Sequence, residues 1–337
     1  KFISLVVAFL TTILGCSAFA QQVIISEIMY NPLGSPEPEN PDDPDAPEAV
    51  EAEYFEIRNN SATPYDIAEW RVTSGVDYTF PGFNRSDPQA AFLQAFEIIL
   101  VSAVPEAELR AAYDIPGDVR IFGPWSGSLS NAGERVTLED KNGVVVCTVR
   151  YDDQGDWSPA ADGAGHSVHV RNTNRIVDDW RNWATSRRAG GSPGVDEPAV
   201  DIPALHLSEA MFDADGNLSW VEFYNGGQTS LNLADYSLSL DPEQSEPIAL
   251  GGTIAPGGYA SVGVDAELTS NDAFLFLFDR DANVVSAARL DRPDPEFAMQ
   301  AFPAGSPEWY RLQEPTRDAA NDPERSRFVV INEIMPE

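Results

Sequence analysis

Gly190-Gly191-Ser192-Pro193-Gly194 has the Gly-x-Ser-x-Gly spacing with which hydrolases present a nucleophilic serine. That chemistry needs the serine on a sharp strand-to-helix turn, with a histidine base and an acid beside it. Pro193 takes the first position of any following helix and no helical periodicity follows, so the motif reads as linker. Glu27 and Glu56 occupy places matching Glu209 and Glu222. A carboxylate pair can work as an acid/base dyad, and the same four residues also read as solvent-side strand positions or as structural acceptors for backbone N–H groups. His166 and His169 fall on opposite faces of a strand and cannot share a metal there; His206 reads as a packed strand side chain. Cys and His are too few to favour a closed zinc site. Asp213-Ala214-Asp215-Gly216-Asn217 puts oxygen-bearing side chains at alternate positions, as a calcium loop would, although the EF-hand spacing is absent and a plain turn has the same composition. Calcium on Asp213, Asp215 and Asn217 is thus the cofactor left open, and no other is implied. Trp125, Trp157 and Trp309 lie in loops with Gly, Asp or Asn nearby, where an indole can stack on a sugar ring or close a core.

Elements that could position such groups are short strands between many turns. The 337 residues include 24 Gly and 26 Pro, with short runs of Val, Ile, Leu and Phe between them. This is an all-β composition. With 54 Asp plus Glu against 21 Lys plus Arg, the net charge is −33, which argues against nucleic acid and against an anionic membrane surface as partners. At 43% hydrophobic residues the chain can still fill two cores. Lys1, the apolar run Phe2 to Leu14 and the small residues Ala18 and Ala20 form a signal peptide over residues 1–20, with Gln21 as mature start. The expected address is secreted or cell-surface, with no membrane insertion after cleavage. A retained anchor and a lipoprotein lipidated at Cys16, after Ile13-Leu14-Gly15, are the alternatives. Cys147 then remains without a disulfide partner, in a strand where a buried thiol packs as a small apolar group.

The chain repeats itself. Val23-Ile24-Ile25-Ser26-Glu27-Ile28-Met29 returns as Leu205-His206-Leu207-Ser208-Glu209-Ala210-Met211 and again as Val329-Val330-Ile331-Asn332-Glu333-Ile334-Met335. Tyr54 to Asn59 matches Trp220 to Asn225, and Glu56 stands as far from Trp70 as Glu222 from Tyr236. This spacing reads as duplicated domains. The first copy carries an acidic, proline-rich insert at residues 34–52, read as a solvated loop. Further strands are expected at Phe96 to Val101, Arg135 to Leu138, Val144 to Val149 and Ser167 to Val170. In the second copy they are expected at Tyr259 to Val264, Phe274 to Phe278 and Val284 to Ala287. Trp70, in phase with Ile67, belongs to the first core, whereas Trp125, in a Gly/Ser-rich loop, is expected to tolerate truncation far better.

These residues resemble the lamin-tail domain. The resemblance rests on Ser26 to Pro32, Asp66-Ile67-Ala68-Glu69-Trp70, Gly123 to Glu134, Trp157 with Asp162 to Ser167, Trp183 and Gly191 to Gly194. It implies tandem immunoglobulin-like antiparallel β-sandwiches. The expected organisation is a first domain at 22–195, a linker at 196–203, a second domain at 204–322 and the opening of a third repeat at 328–337. Gln94 to Glu97 departs from the family's Pro-Gly turn, which the second copy keeps at Pro256-Gly257. The arrangement is similar to exported bacterial proteins in which such repeats precede spore-coat kinase-like (CotH-type) or glycan-binding-like modules. The resemblance implies a non-enzymatic exported module that spaces or tethers a larger surface protein, with downstream domains of the same polypeptide as partners. The alternative is an extracellular module that binds carbohydrate or protein through its Trp-bearing loops.

Overall fold

The computed structural model describes residues 21–33, 51–87, 91–155, 157–197, 204–242, 244–267, 272–291, 297–306, 309–312 and 314–322. The expected signal peptide with Cys16, most of the acidic insert, most of the expected linker and the expected opening of a third repeat lie outside the described residues. Strands dominate. In the first copy they are β1 (Val23–Met29), β2 (Tyr54–Asn59), β3 (Tyr65–Asp66), β4 (Arg71–Ser74), β5 (Tyr78–Thr79), β6 (Phe92–Leu93), β7 (Ile98–Ser102), β8 (Arg120–Phe122), β9 (Glu134–Glu139), β10 (Val145–Tyr151), β11 (Val168–Val170) and β12 (Trp183–Thr185). In the second they are β13 (Leu205–Phe212), β14 (Leu218–Asn225), β15 (Leu231–Asn232), β16 (Ser237–Ser239), β17 (Ile248–Ala249), β18 (Thr253–Ile254), β19 (Tyr259–Ala266), β20 (Asp272–Phe278), β21 (Val284–Asp291), β22 (Ala298–Ala301) and β23 (Trp309–Leu312).

Each copy stacks a larger sheet on a smaller one, and the strand order recurs. The larger sheets run β12-β11-β1-β2-β7-β8 and β23-β22-β13-β14-β19; the smaller run β10-β9-β4-β5 and β21-β20-β16-β17. All pairs are antiparallel except β7 with β8, which follows the short helix α1 (Glu106–Ala112). That helix buries Leu109 beside Met29, Tyr54 and Leu100 and is absent from the strand-only expectation. Alternation in the strands supplies the cores. Ile25, Ile57 and Ile99 of the first larger sheet meet Val72, Val136 and Val149 of the smaller, with Trp70 and Cys147 among them. The strand expected from Phe96 starts only at Ile98. Phe96 has φ +59°, the left-handed position that Gly257, at φ +69°, takes in the second copy's turn.

The two copies touch. On β20, Leu275 and Leu277 point into the second core, whereas Phe276 and Phe278 pack with Ala164 of the first copy. Arg289 on β21 meets the Asp153 carboxylate at 3.2 Å and Asp162 at 3.6 Å. Its guanidinium stands 4.9 Å from the centre of the Phe274 ring. His166, fully buried, closes the contact: Nδ1 lies 2.8 Å from the Ser186 carbonyl, and Nε2 accepts the Val284 N–H at 3.1 Å. The pair of partners fixes the tautomer, with the proton on Nδ1.

Candidate functional site

A β-bulge sets the geometry of the carboxylate pair. Between β1 and β2 the register slips after Ile25↔Ile57, so Ser26 and Glu27 together face Glu56. Between β13 and β14 it slips after Leu207↔Phe223, and Glu209 faces Glu222. A bulge re-aims side chains, and here it brings two glutamates together on the outer face of each larger sheet. That face is covered. Glu27 is 1% exposed and Glu56 3%, while Glu209 and Glu222 are fully buried. The solvent-side expectation for these four residues is therefore corrected, and the expectation of structural acceptors describes them.

The cover is the chain segment leaving each copy. In the first, Glu27 Oε1 accepts Tyr54 Oη (2.7 Å), Ser167 Oγ (2.6 Å) and the Ser192 N–H (2.8 Å). Glu56 accepts Ser26 Oγ at 3.0 Å and the Gly194 N–H at 2.6 Å. In the second, Glu209 accepts the Thr316 N–H (3.0 Å) and Thr316 Oγ1 (2.8 Å), and Glu222 accepts the Asp318 N–H. Ser192-x-Gly194 and Thr316-x-Asp318 thus do the same work: a hydroxyl residue on one glutamate and, two residues later, a left-handed backbone N–H on the other, at φ +84° and +59°. Gly191 cannot be replaced without displacement, because at φ +73° a Cβ would overlap Glu27 Oε1 and Tyr54 Oη.

Burial raises the pKa of Glu27 against the hydrogen bonds from Ser167, Ser192 and Tyr54. Burial and the neighbouring Glu27 hold Glu56 well above the usual carboxylate range. Glu222 is pushed up to about 8 by burial and then by Glu209. Ser192 Oγ lies 2.8 Å from Glu27 Oε2 and 2.9 Å from Glu197 Oε2. One hydroxyl proton cannot serve both. The count closes when one of the two carboxyls carries a proton, and burial favours that proton on Glu27. The Gly-x-Ser-x-Gly serine therefore belongs to the strap itself, between two carboxyls, with the buried His166 engaged elsewhere. The histidine base that the motif would call for is not beside it: both His166 ring nitrogens bond to other partners.

The other singled-out residues separate. Trp125 is corrected from an open loop to the core: it is 7% exposed and stacks on Phe55 with ring centres 5.3 Å apart, so it offers no face to a ligand. Asp213 Oδ1 accepts the N–H groups of Asp215 (2.9 Å) and Asn217 (2.8 Å), the geometry of a capped turn. Asp140 and Asp279 cap their hairpins in the same way. Among the described residues, no three His, Cys, Asp or Glu side chains converge on a metal position. Cys147 is buried, its sulfur accepts the Ile25 N–H at 3.4 Å, and burial pushes its thiol up to about 12. Among the described residues no helix is long and apolar enough to cross a membrane.

Trp157 belongs to the first copy, and Trp309, on strand β23 and not in a loop, to the second. They line a cleft of about 860 Å³, together with Trp180, His169, Arg171 and His206. Trp180 is the most open of these indoles, at 42% exposure. Sequence reasoning singled out Trp157 and Trp309 one by one but could not bring them into one cleft with Trp180, because no spacing rule joins them. It also missed Glu53, buried and accepting the Leu129 N–H at 3.0 Å, because that residue follows directly on the acidic insert.

Residues 17–153 match the family model of the Lamin Tail Domain, a span that includes β1 to β10. No curated protein matches the chain. Among solved structures, a complex of Amycolatopsis orientalis exo-chitosanase CsxA with PNP-beta-D-glucosamine is 12% identical at a TM-score of 0.19, over 71% of this chain and 25% of that one. The chain spans about a quarter of that protein's length, and so slight a likeness carries no argument.

Proposed function

We propose, for a chain that carries a lamin tail domain, that its two sandwiches work as a non-enzymatic structural module, spacing or tethering a larger exported protein. The observation that carries this reading is the recurring clasp. In both copies the most catalytic-looking residues are sealed, and they grip the segment through which the chain leaves the domain. Tension along the polypeptide would load that clasp directly. Export rests on the apolar run and the Ala18-Phe19-Ala20 ending, and the downstream partner on the repeat opening at Val329. Fractionation of the producing cell with N-terminal sequencing tests the address: a mature chain starting at Gln21 outside the cytoplasm is expected, and an intact cytoplasmic chain would contradict export. Pulling the chain from both ends tests the tether, with two unfolding events expected. Extension at low force without discrete events would contradict it.

A second reading, glycan binding, is favoured by one feature, the cleft in which Trp157, Trp180 and Trp309 converge from the two copies. A glycan array probed with the full chain tests it, and silence across the array would remove it.

A further inference from the structure

We propose that the cleft between the copies takes an uncharged, β-linked oligosaccharide of gluco-configured pyranose rings and binds it without cleaving it. The proposal rests on the glycan-binding reading of the same cleft. Its walls come from both copies: Trp157 and Trp180 from the first, and Trp309 on β23 from the second. Trp157 leans on Trp183 with ring centres 6.2 Å apart, which fixes its plane. Trp180 is backed by the Arg181 guanidinium at 4.8 Å and remains 42% exposed. An indole offers a flat π face. A pyranose with every ring substituent equatorial offers flat C–H surfaces on both faces in return, whereas an axial hydroxyl obstructs one of them.

Charge decides between neutral and ionic sugars. Arg58 in the lining is paired with Asp196, and the Arg187 N–H donates to Glu197 at 2.7 Å. Arg171 Nε donates to the Trp183 carbonyl at 2.7 Å. The lining carries Arg58, Arg171 and Arg187 beside Asp196 and Glu197, and the net charge of −33 repels a polyanion at longer range. Neutral polar groups between them, Thr173, Thr185 and Ser306, are suited to hydroxyl groups. At about 860 Å³ the cleft falls within the size of ligand sites. Glu27 and Glu56 border it but lie under the Gly191 to Gly194 strap. Their counterparts Glu209 and Glu222 have the same clasp away from the cleft, so the pair belongs to the fold and not to sugar chemistry.

The test titrates the full chain with cellohexaose and, separately, with hexagalacturonate, by calorimetry and tryptophan fluorescence, and checks the sugar for shortened products. Cellohexaose binding, no hexagalacturonate binding and no shortened product are expected. Trp180→Ala is expected to weaken cellohexaose binding about tenfold, the contribution of one stacked ring, with the melting temperature unchanged because the side chain is exposed. Tighter binding of hexagalacturonate would overturn the ligand class and leave glycan binding standing. Failure of both sugars together with a silent array would overturn both. Unchanged affinity in Trp180→Ala would remove the cleft as the site, and release of shorter sugars would overturn binding without cleavage.

Discussion

Trp70 and Trp125 are both 7% exposed, yet they reach the core by different routes. Trp70 is on a strand approach whose phase follows Ile67, and its place was legible from that spacing. Trp125 follows the Gly123-Pro124 peptide in a stretch without periodicity, where its N–H donates to the Ser102 carbonyl at 3.1 Å and its ring lies on Phe55. A Gly/Ser-rich context describes the backbone's turns and carries no information about where an indole between them goes. Truncating a buried Trp removes a large apolar surface and leaves a cavity, at about 3–5 kcal/mol. Trp70→Ala and Trp125→Ala are therefore both expected to lose that much in denaturant titration of the first copy. A Trp125→Ala loss below about 1 kcal/mol would place the ring outside the core.

The strands show which sequence patterns were readable. Short apolar runs bounded by turns predicted β9, β10, β20 and β21 to within a few residues. The run Phe274-Leu275-Phe276-Leu277-Phe278 held more information than alternation uses: a strand apolar on both sides is covered on both sides, and the first copy supplies that second cover. His166 is the polar member of this contact, and its protonation is opposed by burial, which lowers its pKa from 6.5. Protonated, Nε2 could no longer accept the Val284 N–H. Because the folded state binds this proton less readily than the unfolded chain, the stability it contributes is present above about pH 6.5 and is lost as pH falls through the lower folded value. Glu53 and Glu222, both pushed up to about 8 by burial, act with the opposite sign. Their contribution is full below the ordinary value of 4.5 and declines as pH rises through about 8. Denaturant titrations across this range are expected to show stability falling toward alkaline pH, with Glu222→Gln flattening that slope in the second copy. His166→Phe is expected to flatten the acid side. Slopes that survive both substitutions would assign the titration to other groups.

At the scale of the whole chain, the recurring motifs accompany a recurring strand order, whereas the contact between the two sandwiches left no signal in the spacing. The repeat spacing carries the fold of each copy, whereas the interface uses residues that lie outside the matched motifs, Asp153, Ala164 and Arg289 among them. Phe276→Ser is expected to separate the melting of the two copies by leaving Ala164 and Phe278 unpacked, seen as two resolved calorimetric transitions where the native chain shows closer ones. Unaltered transitions would mean that the contact adds little coupling.

The central claim is that the paired glutamates are clasps of the fold and not catalytic groups, and the stability of clasp variants separates the two most directly. Groups held for catalysis are kept at a cost in stability, so removing them leaves a protein as stable or more so. Removing one member of a buried, hydrogen-bonded set strands its partners and costs about 3–5 kcal/mol. Equilibrium denaturation of Glu27→Leu and Glu209→Leu is expected to show a loss of that size, each in its own copy. Glu27→Gln, which can still donate to Ser192 Oγ, is expected to stay within about 1 kcal/mol of the native chain. Leucine variants as stable as the native protein, or more stable, would contradict the account.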